Sequence, residues 1–201
     1  MSPEFSLIDK YFNLYKTKAF RGIGDDAALI KKDSNHLWAI STDMLNEKTH
    51  FLPNTDPFNL GWKALAVNIS DIYAMGGVPR FALLAIALPK VKENWIKEFS
   101  NGLFSCAKQY GVELIGGDTT KGSLCISICI LGEVFKKNAL LRSNAKKEDD
   151  IWVTGELGLA KLGLANLQKK NSITSRFVKK SNWSIRKAYA ASNHNRKHGQ
   201  T

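Results

Sequence analysis

Four short clusters set an acidic side chain beside glycines or hydroxyls: Gly22-Ile23-Gly24-Asp25-Asp26, Ser41-Thr42-Asp43, Asn68-Ile69-Ser70-Asp71 and Gly116-Gly117-Asp118-Thr119-Thr120. Glycines ahead of a carboxylate suit a tight turn whose backbone N–H groups approach a phosphate, yet the carboxylate itself repels that phosphate. A divalent cation between the two removes the conflict. Carboxylates with Ser and Thr hydroxyls, and no nearby His or Cys, form a hard oxygen set that suits magnesium better than zinc or copper. The clusters therefore predict a site for a magnesium-bridged nucleotide. One such cluster alone is an ordinary turn; four in one chain ask for a common ligand.

The familiar nucleotide loops are missing. No G-x-x-x-x-G-K-[ST] string occurs, and Gly22-Ile23-Gly24 runs into acids where a dinucleotide fingerprint needs its third glycine. Cys106, Cys125 and Cys129 lack the paired spacing of a zinc or redox site and are expected to be small core residues. The net charge of +11 suggests a nucleic-acid or membrane partner until its distribution is read. Nine of the 29 Lys and Arg, and none of the 18 Asp and Glu, fall between Lys169 and Thr201, so the rest of the chain is nearly neutral. That tail carries no RNA or DNA module, which argues against nucleic acid. Nor does any apolar run approach the roughly 20 residues that span a bilayer; the longest, Phe81 to Leu88, reads as a buried strand. The opening Met-Ser-Pro-Glu-Phe lacks the basic and then apolar layout of a secretory signal. A cytoplasmic protein with no membrane partner is expected.

Elements must bring the clusters together. Ser2 and Pro3 open a helix with Phe5, Ile8, Tyr11, Phe12 and Tyr15 on one face. Ala27 to Lys31 and Leu37 to Thr42 read as a hairpin around Asp33, Ser34 and Asn35. Asp56-Pro57 starts a helix that runs to Met75 and stops at Gly76 and Gly77. Phe81 to Leu88, Val112 to Ile115, Leu124 to Phe135 and Ile151 to Thr154 are strand-like, and Val91 to Tyr110 is helical, ended by Gly111. This order predicts an α+β fold, a mixed sheet with helices on one face. From about Gln168 the chain loses its apolar period and reads as a solvated, disordered tail.

Taken in order, Glu4-Phe5-Ser6-Leu7-Ile8, Gly22-Ile23-Gly24-Asp25-Asp26-Ala27-Ala28, Ser41-Thr42-Asp43, His50-Phe51, Lys63-Ala64-Leu65-Ala66-Val67-Asn68-Ile69-Ser70-Asp71-Ile72, Ala74-Met75-Gly76-Gly77 and Gly116-Gly117-Asp118-Thr119-Thr120 resemble the thiamine-monophosphate kinase family from about Pro3 to Gln168. His50-Phe51 favours this kinase over its relatives, aminoimidazole ribonucleotide synthetase, selenide water dikinase and a hydrogenase maturation enzyme. The resemblance implies an aminoimidazole ribonucleotide synthetase-like amino-terminal domain that pairs with its twin in a homodimer. It further implies that Asp26, Ser41, Thr42, Asp43, Asp71 and Asp118 hold magnesium ions, that Gly117, Asp118 and Arg142 contact ATP, and that His50 contacts thiamine monophosphate. Taken alone, Arg142 reads as a surface residue and His50 as a structural or exposed one.

The implied reaction is transfer of the terminal phosphoryl group of ATP to thiamine monophosphate. The attacking phosphate oxygen is already ionised near neutral pH, so no catalytic side-chain base is expected. The difficulty is repulsion between two anions, which positioning and cations relieve. The expected organisation is a nucleotide-binding and dimerisation domain over residues 1–148, the start of a carboxy-terminal domain over 149–168, and a basic tail over 169–201. The family's second domain carries an Asp-x-Ser-Asp-Gly motif that has no counterpart here, and the acid-free tail looks like a shifted frame or truncated product. The competing expectation is a catalytically inactive remnant that dimerises and binds nucleotide.

Overall fold

Asp56 accepts a hydrogen bond from the backbone N–H of Asn59 at 2.8 Å, and Pro57 holds the first helical turn, so the chain begins a helix at once. The helix runs over Pro57–Ala74, and the N–H groups of Gly76 and Gly77 close it on the carbonyls of Tyr73 and Ile72. Gly76 and Gly77 thus act as the expected helix stop. In the computed structural model, residues 3–13 and 17–150 are described, with 153, 157, 158, 160, 161, 163 and 164. The elements in order are α1 (Pro3–Tyr11), β1 (Ala28–Lys31), β2 (His36–Asn46), α2 (Pro57–Ala74), β3 (Val78–Leu88), α3 (Glu93–Tyr110), β4 (Glu113–Lys121) and β5 (Cys125–Phe135), followed by two single turns of 3-10 helix.

The sheet has the order β1-β2-β5-β3-β4; β3 and β4 are parallel and every other pair is antiparallel. A parallel pair needs a crossover, which α3 supplies. The mixed α+β sheet is as expected. Burial alternates along the strands, with Leu37, Ala39 and Leu45 of β2 and Ile126, Ile128, Ile130 and Val134 of β5 buried beneath α2. From α2 itself Leu60, Leu65, Ile69 and Ile72 are almost wholly buried, each stabilising the fold by about 1.5–3 kcal/mol. α3 packs on α2 at two glycines. A Cβ on Gly61 would stand 2.0 Å from the Phe99 carbonyl oxygen, and one on Gly102 would stand 1.8 Å from that of Phe58. The two backbones touch there because neither residue carries a side chain.

Two clusters expected at or just beyond the ends of the strands Leu37 to Thr42 and Val112 to Ile115 lie inside longer strands. Ser41-Thr42-Asp43 is mid-β2, and Gly116 to Thr120 belongs to β4, so only Gly22 to Asp26 remains a loop. Gly117, at φ 150°, sits so close to β3 that a Cβ would lie 1.8 Å from the Leu84 carbonyl oxygen. The glycine signal there marks close strand packing and not a turn. β2 also continues past Thr42 to Asn46, paired throughout with β5. Cys106 is in the core as expected, and burial pushes its thiol up to about 12. Cys125 and Cys129 are instead half-buried on the face of the sheet away from α2.

α1 matches its expected start, though Leu7, Tyr11 and Phe12 are exposed and Tyr15 lies outside the described residues. The chain divides into a unit Met1–Ala145 and a unit Lys146–Thr201. In the second, Asp149 closes a turn by accepting from the Lys146 N–H at 2.7 Å. The strand expected at 151–154, the remainder of 149–168 and the tail at 169–201 lie, but for isolated residues, outside the described residues. No helix among the described residues is long and apolar enough to cross a membrane.

Candidate functional site

α2 and the flank of β2 run side by side in opposite directions, and two hydrogen bonds join them near the carboxy-terminal end of α2. Ser41 Oγ lies 2.8 Å from Asp71 Oδ2, and the Asp43 N–H donates to Asn68 Oδ1 at 3.1 Å. Asn68 is almost fully buried and also donates to the Ala64 carbonyl at 3.0 Å, so its amide fixes the strand against the helix. Ser41 Oγ also lies 2.9 Å from the Asp26 carbonyl oxygen, within reach of the same single proton, which draws the loop before β1 into the same corner.

That loop is held by charge. The Asp25 side chain is fully buried and receives the Arg21 guanidinium on one oxygen and the backbone N–H of Arg142, at 2.8 Å, on the other. The Arg142 guanidinium pairs with Asp26, and this contact raises the guanidinium pKa further. Asp71 is pushed up to about 6, mainly by burial and then by the like charges of Asp43 and Asp26, against the hydrogen bond from Ser41 and the nearby Arg142. The corner therefore holds three mutually repelling carboxylates, one hydroxyl and one arginine.

The structure thus brings together Asp26, Ser41, Asp43, Asp71 and Arg142. It separates Asp118 and Gly117 from them within one chain. Register places Asp43, Ile128, Leu84 and Gly117 in one row across the sheet, with Asp118 in the next row beside Met44, Ser127 and Ala85. Asp43 and Asp118 therefore face opposite sides of the sheet, three strands or about 14 Å apart. Thr42 shares the face of Asp118, and its hydroxyl donates to the Ile128 carbonyl at 3.1 Å.

His50 stands at the far end of the β2 flank, in a turn that Lys48, at φ 69°, allows to close. The N–H of Asn46 donates to His50 Nδ1 at 3.0 Å, so the neutral ring carries its proton on Nε2. Lys63 Nζ donates to the His50 carbonyl at 2.5 Å, and buried Phe51 anchors the turn. Sequence reasoning missed three of these roles: Asn68 as the clamp, Asp25 as the buried anchor and Lys63 as the partner of the His50 turn. Asn68 and Asp25 stand in clusters that were legible, but nothing in spacing separates a buried acid from a liganding one.

Among the described residues, no three His, Cys, Asp or Glu side chains already stand at metal-ligand spacing. The donor set still fits magnesium, which keeps several waters and takes one or two carboxylates together with substrate phosphates. Asp26 and Asp71, with Ser41 between them and Asp43 alongside, supply oxygen donors and an electrostatic deficit that a cation relieves.

Residues 24–134 match the AIR synthase related protein, N-terminal domain. The chain belongs to that family. Within it the similar proteins are thiamine-monophosphate kinases: that of Buchnera aphidicola subsp. Schizaphis graminum is 46% identical over 187 residues, 92% of this chain and 57% of the relative. That of Escherichia coli K12 is 47% identical over 170 residues, 83% of this chain and 52% of the relative. The chain thus spans about half the length of the curated relatives it matches. Among solved structures, AaThiL complexed with AMPPCP and TMP superposes with a TM-score of 0.80 at 32% identity, covering 89% of this chain and 57% of the other. Thiamine-monophosphate kinase from Stenotrophomonas maltophilia K279a gives 0.70 at 39% identity, covering 91% and 60%.

Proposed function

We propose that this chain forms the nucleotide-binding half of a cytoplasmic kinase that phosphorylates thiamine monophosphate to thiamine diphosphate with ATP and magnesium. The observation that carries the reading is the corner where Asp26, Ser41 and Asp71 converge beside Asp43 and are balanced by Arg142. Asp26, Ser41, Asp43 and Asp71 fall in the strings by which the sequence resembles thiamine-monophosphate kinases, one such kinase is 46% identical over 187 residues, and a similar structure is described as complexed with AMPPCP and TMP.

In this reading Asp26, Asp43, Asp71 and Ser41 hold magnesium, with Thr42 and Asp118 as further ligands. A magnesium ion held there would supply positive charge to offset the negative charge of the phosphates. Arg142 turns from Asp26 to the nucleotide, and Gly117 and Asp118 contact it from β4. His50 presents its Nε2–H to the acceptor. The chain's own contribution is to orient two anions and hold them together, since the acceptor oxygen needs no base.

The reading includes a homodimer. The sheet face away from α2 exposes Ile30, Met44 and Leu83 and half-buries Trp38, Ile40, Phe81, Cys129 and Leu131, an apolar surface suited to a second copy. Asp118 and Thr42 lie on that face, so dimerisation is also what supports their assignment to the site.

The test is steady-state formation of thiamine diphosphate from thiamine monophosphate, ATP and magnesium, with Asp43→Ala as control. Turnover abolished by the substitution supports the kinase. Dimer formation and nucleotide binding without turnover, from folded protein, favour the inactive module instead.

A further inference from the structure

Three contacts mark out a line along α2. Asp71 meets Ser41, Asn68 meets the backbone of Asp43, and Lys63 meets His50. Lys63, Val67 and Asp71 recur every four residues, so they share one stripe of the helix, about 12 Å from first to last. One end of the stripe is the acidic corner and the other is the His50 turn.

Lys63 differs from the ion-paired cations of this unit, and its partial burial sets it apart from the exposed lysines. Arg21 pairs with Asp25, Lys32 and Arg80 with Glu133, and Arg142 with Asp26. Lys63 is half-buried, and among the described residues no carboxylate lies within ion-pair distance of it. Its described partner is one neutral carbonyl, which uses one of three N–H donors. Burial accordingly lowers its pKa with nothing to offset it. A half-desolvated ammonium without a counter-charge is costly unless an anion arrives to pair with it.

We propose that Lys63 binds the phosphate monoester of the acceptor, between the acidic corner and His50, and thereby sets the preference for a phosphorylated acceptor over the free alcohol. This rests on the substrate reading above and adds to it the residue that reads the phosphate. Magnesium at the corner and the ammonium of Lys63 would hold the two ends of the same anionic path.

The test is calorimetric binding of thiamine monophosphate and of thiamine to the full chain, each in magnesium, for wild type, Lys63→Met and Lys63→Arg. The wild type should prefer the monophosphate by about tenfold or more, as a charge-assisted contact provides. Lys63→Met should lose that preference with thiamine affinity unchanged, and Lys63→Arg should keep most of it. A ratio of two affinities on one variant does not depend on the fraction folded. Equal weakening of both ligands would assign Lys63 only to supporting the His50 turn and overturn the proposal, as would an unchanged ratio. Wild-type protein that binds neither ligand would overturn the substrate reading itself, and this proposal with it.

Discussion

The Arg142 guanidinium lies on the carboxylate of Asp26, the acid that stands nearest the loop end of the proposed cation site. Arginine here does the work of a counter-ion. Its backbone N–H also fixes the buried Asp25, so the side chain can leave Asp26 without releasing the segment.

This arrangement predicts competition. Without nucleotide, Arg142→Gln should bind manganese, used as a paramagnetic stand-in, about two- to fivefold more tightly than wild type, the range of a half-exposed ion pair. The same variant should bind ATP more weakly. Electron paramagnetic resonance titration measures the first; a fall in manganese affinity would contradict the competition.

Asp71 predicts an inverted acid response. Its folded pKa, about 6, lies above the ordinary value of an aspartate, so the native state takes up this proton more readily than the unfolded chain. Its contribution to stability is therefore greatest at low pH, falls as pH rises from about 4 to 6, and is level above that. Asp71→Asn should raise the melting temperature at pH 7.5 in the absence of divalent cations and flatten the curve between pH 4 and 6. Melting curves across that range check both effects.

The glycine contact between α2 and α3 predicts a large structural cost at a position far from charge. Gly61→Ala would put a Cβ 2.0 Å from backbone, which only movement of a helix can relieve. Chemical denaturation should show a loss of about 1–3 kcal/mol or more.

Leu83, on the open sheet face, tests the dimer. Leu83→Lys should sediment as a monomer at concentrations where wild type is a dimer, with the circular dichroism of the fold intact. A dimer of unchanged strength would place the second copy elsewhere.

Much of the fold was legible because its signals are local. Asp56-Pro57 and Gly76-Gly77 bracket α2 in the sequence as they do in space. The alternation of Ile126, Ile128 and Ile130 likewise announces a strand with one buried face. β4 was misread because glycine beside acid is a turn signal, whereas here Gly117 answers to the carbonyl of a neighbouring strand, which is non-local information. The site divides in the same way. Asp26, Ser41, Asp43 and Asp71 could be picked out by type and by family resemblance. Their convergence, the separation of Asp118 and the position of Lys63 beside His50 depend on strand order and on the antiparallel run of β2 against α2.

In the proposed function the Asp26, Ser41 and Asp71 corner takes nucleotide through magnesium. Calorimetric titration of wild type and Asp71→Asn with AMPPCP, in magnesium and in EDTA, tests it most directly. Wild type should bind in magnesium and not in EDTA, and Asp71→Asn should bind at least about tenfold more weakly, the loss of a charge-assisted contact. Binding that is indifferent to both magnesium and Asp71 would contradict the proposed function.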